Sequence, residues 1–273
     1  MHKITVSEVP NNVRIESLLN QHSYAELTFL LQPIVIPTNG EVVAFEALSK
    51  VISQSGDQLN NEDFFQLAGT ELLKCLVIAQ INAFKQTVYT KRRVLISYNL
   101  PLSCMEDDCF VEKLLSTCTQ KIALEFTDLN VNLKSKKITD NLEKVQSNGH
   151  QLWLDDYLHQ SRVANLTLGY IEWDIIKIDK SYLYYNTEEE SLLKSLISVL
   201  QSYSNKGVIF EGVETELQRR LICGEKIFAQ GYFFSYPRCV SEVIQKVKFT
   251  PWKAFDNERS QQPDYTGEAS LFV

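Results

Sequence analysis

Glu46, Asn99, Glu125, the pair Asp155-Asp156, Lys177, Glu211 and Gln230 share one property: each stands at the polar end of a short apolar run. One acid at the end of a strand is ordinarily solvated where the chain leaves the core. Five carboxylates brought to one place (Glu46, Glu125, Asp155, Asp156 and Glu211) would instead repel one another and could not all stay ionised unaided. Divalent cations resolve that repulsion. Carboxylates with an Asn carbonyl are hard oxygen donors, suited to Mg²⁺, Mn²⁺ or Ca²⁺ rather than to soft-ligand metals. Two adjacent aspartates, with Asp155 able to bridge, suit a pair of ions about 3.5–4 Å apart, the arrangement that serves in-line displacement at phosphorus. Only four histidines are present (His2, His22, His150 and His159), none three or four residues from another, which disfavours a histidine-based zinc hydrolase.

Converging these residues requires a scaffold that opens many strand ends onto one face. Eight apolar runs, rich in Val, Ile, Leu and Phe, occupy 27–36, 42–48, 94–98, 122–126, 152–154, 175–178, 208–210 and 227–229. Their near-continuous apolar character is that of strands covered on both faces. Thr38-Asn39-Gly40 lies between the first two runs, and Asn-Gly signals a hairpin, so the first strand pairs antiparallel with the second. The segments between later runs read as helices. Asn60-Asn61-Glu62-Asp63 opens one that continues to Tyr89, and Asn186-Thr187-Glu188-Glu189-Glu190 opens another over 192–203. Asn148-Gly149 and Lys206-Gly207 supply stop signals before strands. Alternating strands and helices predict an α/β fold, a TIM-like (β/α)8 barrel with the first strand antiparallel to the rest, whose C-terminal strand ends carry the chemistry. The expected organisation is an N-terminal helical extension over 1–25, a barrel over 26–250 and a weakly ordered tail over 251–273.

The 273 residues carry 27 Lys plus Arg against 34 Asp plus Glu, a net charge of -7, which argues against polymeric nucleic acid and anionic membranes as partners. No signal peptide or membrane span is evident, and six cysteines scattered without a Cys-x-x-Cys pair read as reduced thiols, so the expected location is cytoplasmic.

At the strand-end residues the sequence resembles the EAL-domain phosphodiesterases of bacteria, which cut cyclic di-GMP to linear pGpG. Glu46-Ala47-Leu48 matches the naming motif. The resemblance continues through Gln32-Pro33-Ile34-Val35, Asn99-Leu100, Leu124-Glu125-Phe126-Thr127, Leu154-Asp155-Asp156, Lys177-Ile178-Asp179-Lys180-Ser181, Glu211-Gly212-Val213-Glu214-Thr215 and Gln230 to Pro237, covering about residues 27–245. It implies that Glu46, Asn99, Glu125 and Asp155 hold one Mg²⁺ or Mn²⁺, and that Asp155, Asp156 and Glu211 serve a second, Ca²⁺ being inhibitory. It further implies that Lys177 and Gln230 act on the attacking water and that Gln32, Lys50, Asp179 and Tyr232 contact cyclic di-GMP. Glu214 would stabilise a loop, and a homodimer would form through residues 163–170.

Two departures accompany the resemblance. Active members usually continue Phe-Gly-(Ser/Thr)-Gly-Tyr-Ser-Ser after the paired aspartates, whereas this chain reads Tyr157-Leu158-His159-Gln160-Ser161-Arg162-Val163 and lacks both glycines. Lys50 stands where an Arg usually contacts substrate phosphate, which keeps the charge and loses the bidentate fork. Pro37 stands where an acid is common, and no mechanism attaches to it. A metal-dependent phosphodiesterase is the leading expectation. A catalytically weak or inactive receptor for the dinucleotide, or a protein-interaction module, is the alternative.

Overall fold

The apolar runs become the staves of a closed barrel in the computed structural model, which describes residues 2–6, 12–17, 24–88, 94–185 and 190–246. Strands β1 (His2–Val6), β2 (Asn12–Ser17), β3 (Tyr24–Val35) and β4 (Val42–Ser53) come first. Helices α1 (Asn61–Leu67) and α2 (Thr70–Thr87) follow, then β5 (Leu95–Asn99), α3 (Asp108–Thr117), β6 (Ala123–Phe126), α4 (Lys136–Ser147) and β7 (Gln151–Tyr157). Next come α5 (Arg162–Thr167), β8 (Trp173–Ile178), α6 (Ser181–Tyr185), α7 (Glu190–Gln201) and β9 (Ser204–Phe210). The chain ends on α8 (Glu216–Leu221), β10 (Ile227–Ala229), β11 (Arg238–Cys239) and α9 (Val240–Lys246). Strands β4 to β10 pair in parallel, and β3 closes the ring by pairing antiparallel with both β4 and β10. The Asn39-Gly40 turn makes the β3–β4 hairpin, with Gly40 at φ 69°.

Side chains alternate across every barrel wall. One buried cluster, formed by Ile34, Ala44, Leu95, Ala123, Trp153, Ile175, Ile209 and Phe228 with Val43 beside the β3–β4 register shift, draws on all eight staves and fills the lumen. The outward set, among it Phe45, Ile96, Leu124, Leu154, Ile176 and Phe210, packs in a larger core beneath the helices. The lumen is therefore plugged by side chains rather than open. Two residues further along each strand toward the mouth, the inward position is polar.

The N-terminal segment differs from the expected helix. Its described parts form an antiparallel hairpin, β1 with β2, and β2 pairs with the first half of β3, Asn12 opposite Thr28 and Glu16 opposite Tyr24. Val13 and Ile15 are buried while Arg14 and Glu16 are only partly so, a period of two that favours a strand laid on the core. The helix expected from Asn60 is interrupted: α1 ends at Leu67, and Gly69, in extended conformation at ψ 155°, precedes α2. Gly149, at φ 79°, follows α4 as expected. Gly207 does not stop a helix; it lies within β9 at φ 125°, where the β8–β9 register shifts and an added Cβ would meet the Lys226 carbonyl oxygen at 2.0 Å. The capping residues expected at 186–189 and the tail over 251–273 lie outside the described residues. Among the described residues no helix is long and apolar enough to cross a membrane, and all six cysteines are free thiols.

Candidate active site

The polar layer above the plug is Gln32, Glu46, Ser97, Glu125, Asp155 and Lys177, each within a stave, with Glu211 and Gln230 directly after β9 and β10. Each stands two positions mouthward of a residue of the plug, and the alternation of the strands alone places them together. Lys177 lies at the centre with no exposed surface. Its Nζ is 2.7 Å from Glu125 Oε2, 2.8 Å from Asp155 Oδ1, 2.8 Å from Glu211 Oε1 and 3.6 Å from Glu46 Oε2.

Glu46 is held at both oxygens. Asn99 Nδ2 donates to Oε1 at 2.7 Å, and Gln230 Nε2 donates to Oε2 at 2.6 Å. Gln230 Nε2 also lies 3.0 Å from Gln32 Oε1, and Gln32 Nε2 in turn donates to the Ser235 carbonyl at 3.3 Å. A chain of amides thus ties the Glu46 carboxylate to the segment that follows β10. Gly231 lets that segment pack against the one following β9, because a Cβ there would sit 2.1 Å from the Val213 carbonyl oxygen.

Consecutive residues of a regular strand face opposite ways. Asp155 and Asp156 escape this because β7 carries a bulge between Leu154 and Tyr157, with Asp156 at φ 49°. Carboxylate oxygens of Asp155, Asp156 and Glu211 consequently lie within 4.8 Å of one another.

One buried cation among four carboxylates is an imbalance, and the protonation behaviour shows it. Burial alone would lower the pKa of Lys177, but Asp155, Glu125, Glu211 and Glu46 together hold it well above the usual lysine value. Burial pushes Glu125 and Glu211 well above the usual carboxylate range, with Lys177 opposing and the neighbouring acids reinforcing the rise. Asp155 moves up by the same causes. Asp156, open at the rim, is raised to about 6, by loss of solvation and then by the charge of Asp155. Glu125 Oε1 is buried with no hydrogen-bond partner. An excess of negative charge, oxygen donors throughout and an unsatisfied buried carboxylate oxygen fit hard divalent cations.

The remaining expected residues lie around this core. Lys50 is exposed on β4, four residues beyond Glu46 and on the same face of the strand, opposite Thr28. Asp179 is half-buried after β8, and its Oδ1 accepts the Ser181 backbone N–H at 2.9 Å. Tyr232 is 52% exposed. Glu214 accepts a hydrogen bond from the Tyr184 hydroxyl, and that bond raises the Tyr184 pKa.

The glycine-poor segment after Asp156 forms a compact turn without left-handed residues at Leu158 or Gln160. Ser161 N–H donates to the Leu158 carbonyl at 2.8 Å, and Ser161 Oγ caps α5 by accepting the Ala164 N–H at 3.2 Å. Asn165 accepts the Tyr157 hydroxyl at 2.7 Å and donates to the His159 carbonyl at 2.8 Å. Sequence reasoning missed Ser97, the β5 member of the polar layer, and Ser235, whose carbonyl anchors Gln32. The Ser97 signal is its place two residues before Asn99 in the same run.

Comparison with known proteins identifies the family and the fold. A family model described as EAL domain matches residues 15–237. The probable cyclic di-GMP phosphodiesterase PdeB of Escherichia coli K12 is 25% identical over 236 residues, which is 81% of this chain and 43% of that protein. The chain thus spans less than half the length of this relative. Solved EAL structures share the fold. The EAL domain protein of Listeria monocytogenes EGD-e is 22% identical at a TM-score of 0.69, covering 80% of this chain and 91% of that one. BlrP1 of Klebsiella pneumoniae, in a manganese and cy-diGMP complex, is 20% identical at a TM-score of 0.63, covering 87% and 59%. The FimX EAL domain of Xanthomonas citri, in complex with c-diGMP, is 12% identical at a TM-score of 0.63, covering 78% and 88%.

Proposed function

The chain belongs to the EAL domain family, and from that premise we propose that it hydrolyses cyclic di-GMP to linear pGpG with two divalent cations, Mg²⁺ or Mn²⁺, at the barrel mouth. The observation that carries this reading is the buried ring of carboxylates around Lys177, in excess of the charge that one lysine supplies. Glu46, Asn99, Glu125 and Asp155 would hold one cation; Asp155, Asp156 and Glu211 would hold the other. Bound there, the ions supply a lowered pKa for water and polarisation of a phosphoryl oxygen.

The protein's own groups do the rest. Asn99 and Gln230 fix both oxygens of Glu46, so that its carboxylate is presented in one orientation without reorganisation. Asn99 spends its amide nitrogen on that bond, which leaves its carbonyl oxygen as the donor for a cation. Lys177 supplies a fixed positive charge at the floor of the site, where it opposes negative charge developing on the phosphate. Gln230 orients the attacking water in this reading, supported by its buried, unpartnered Oε1. Lys50, Gln32, Asp179 and Tyr232 contact the substrate in this reading. Glu214, bonded to Tyr184, steadies the segments after β8 and β9 rather than the turn at 157–161. The free thiols support a cytoplasmic setting, and exposed Leu166 and Tyr170 support a homodimer through 163–170.

The test is incubation of the purified protein with Mn²⁺ or Mg²⁺ and cyclic di-GMP, followed by chromatography. Linear pGpG that disappears in Glu46→Ala is the expected result. Tight binding without turnover in either metal would overturn the enzymatic reading and leave a receptor.

A further inference from the structure

The amide chain at the mouth has a polarity that its two ends impose. Both ends only accept hydrogen bonds: the Ser235 backbone carbonyl at one, the Glu46 carboxylate at the other. Between them stand two carboxamides, each with one donating and one accepting end. Gln32 meets the Ser235 carbonyl with its Nε2 at 3.3 Å, which turns its Oε1 toward Gln230. That oxygen takes one hydrogen of Gln230 Nε2 at 3.0 Å, and the other goes to Glu46 Oε2 at 2.6 Å. Gln32, Gln230 and Glu46 are all buried, so reversing either amide would set oxygen against oxygen where an unmade hydrogen bond is costly.

The orienting carbonyl is itself fixed to the strand that carries Gln32. Ser235 donates its N–H to the Gly231 carbonyl at 3.1 Å, and its Oγ accepts Arg238 Nε at 3.1 Å. Arg238 lies in β11 opposite Leu31 of β3, the residue before Gln32. Ser235 and Gln32 therefore belong to one hydrogen-bonded frame. At its far end one polar atom of Gln230 is left over: with both hydrogens of Nε2 spent, Oε1 is buried with no hydrogen-bond partner among the described residues.

From this we infer that Gln32 is a positioning residue: it fixes the Gln230 carboxamide so that Nε2 holds Glu46 and Oε1 stays free to accept a hydrogen from the attacking water. The inference rests on the proposed phosphodiesterase reading for the water, and it goes beyond the substrate contact that reading gives Gln32. Loss of a group that orients a ligand-holding side chain lowers activity or metal affinity by about 10–100-fold.

The experiment uses Gln32→Met, which keeps the length of the side chain and removes its polarity, with Gln32→Ala measured in parallel in case the first variant does not fold. Side-chain amide resonances of the metal-free protein are recorded by NMR, the Gln230 pair being the one missing in Gln230→Ala. One proton of that pair should move upfield in Gln32→Met as it loses its acceptor. Mn²⁺-dependent turnover is then measured on cyclic di-GMP and on bis(p-nitrophenyl) phosphate, a phosphodiester with no base to contact. Gln32→Met is expected to lower kcat about tenfold on both substrates, and to cost little more when added to Gln230→Ala. An unmoved Gln230 pair, or losses that add in the double variant, overturns the inference. So does a raised KM for cyclic di-GMP with kcat and the base-free diester unchanged, which leaves Gln32 as a substrate contact alone. A Gln230 pair that moves in a protein whose wild type cleaves neither diester overturns only the phosphodiesterase reading and supports the hold of Gln32 on Gln230.

Discussion

Lys177→Met removes the one cation from the polar layer while keeping the volume of the side chain. The lysine is fully buried, with three carboxylate oxygens at 2.7–2.8 Å. Removing one partner of a buried ion pair leaves uncompensated charge and costs about 3–5 kcal/mol. For a barrel of this size each kcal/mol moves Tm by about 2–4 °C, so the expected loss is roughly 6–20 °C in EDTA near neutral pH. Two further signatures separate a charge effect from ordinary packing loss. First, Mn²⁺ should restore part of the loss, since the carboxylates then gain a different counter-charge. Second, the deficit should shrink as pH falls. Glu125 and Glu211 have folded pKa values raised by burial, with Lys177 opposing, and loss of Lys177 raises them further. Acids whose folded pKa exceeds the unfolded value stabilise the fold when protonated and lose that contribution as pH rises through the folded pKa. Thermal melts followed by circular dichroism, with and without Mn²⁺ over a pH series, read all three. A Lys177→Met melt in EDTA within about 2 °C of the wild type would refute the reasoning, because four carboxylates would then be shown not to depend on the lysine.

His150 gives a prediction of opposite sign far from the mouth. Burial, and then the charge of Lys121, lower its pKa to about 4, and its Nδ1 accepts the Ile122 N–H at 3.2 Å. Since the folded value lies below the unfolded one, stability falls as pH drops through the window from about 6.5 to about 4, by about 2 kcal/mol at pH ~5. His150→Gln should therefore lose less Tm than the wild type between pH ~7 and ~5; parallel curves would count against the assignment. At the rim, Lys50→Arg restores a bidentate donor on the exposed face of β4 and should tighten cyclic di-GMP binding several-fold, read by calorimetry. Unchanged or weaker binding would remove Lys50 from the substrate contacts.

The barrel was legible because its strands are covered on both faces, which makes them apolar runs, and because each run ends in a side chain that cannot remain in the core. Glu46, Asn99, Glu125, Asp155, Lys177, Glu211 and Gln230 stood out for that reason, whereas Gln32, inside the first run, was reached only through the family resemblance. The β1–β2 hairpin was not, although Val13-Arg14-Ile15-Glu16 alternates as a strand should: two buried residues make too short a signal among polar neighbours. Gly69 was hidden within an apolar periodicity that continues on both sides of it. Gly207 looked like a helix stop because a glycine before a strand carries the same letter whether it ends a helix or fills a bulge against Lys226. The Tyr184–Glu214 bond joins two loops distant in sequence, and nothing local to either announces it.

The plug of Trp153, Phe228 and the aliphatic residues around them has a kinetic consequence. With the lumen filled below Lys177, the carboxylate ring opens, among the described residues, only at the mouth, and on the proposed function ions, substrate, water and products would all pass there. On the proposed function, a dinucleotide seated across the rim would stand between the cations and bulk solvent, so a chelator should strip the ligand-bound protein more slowly than the free one, whatever the affinities at equilibrium.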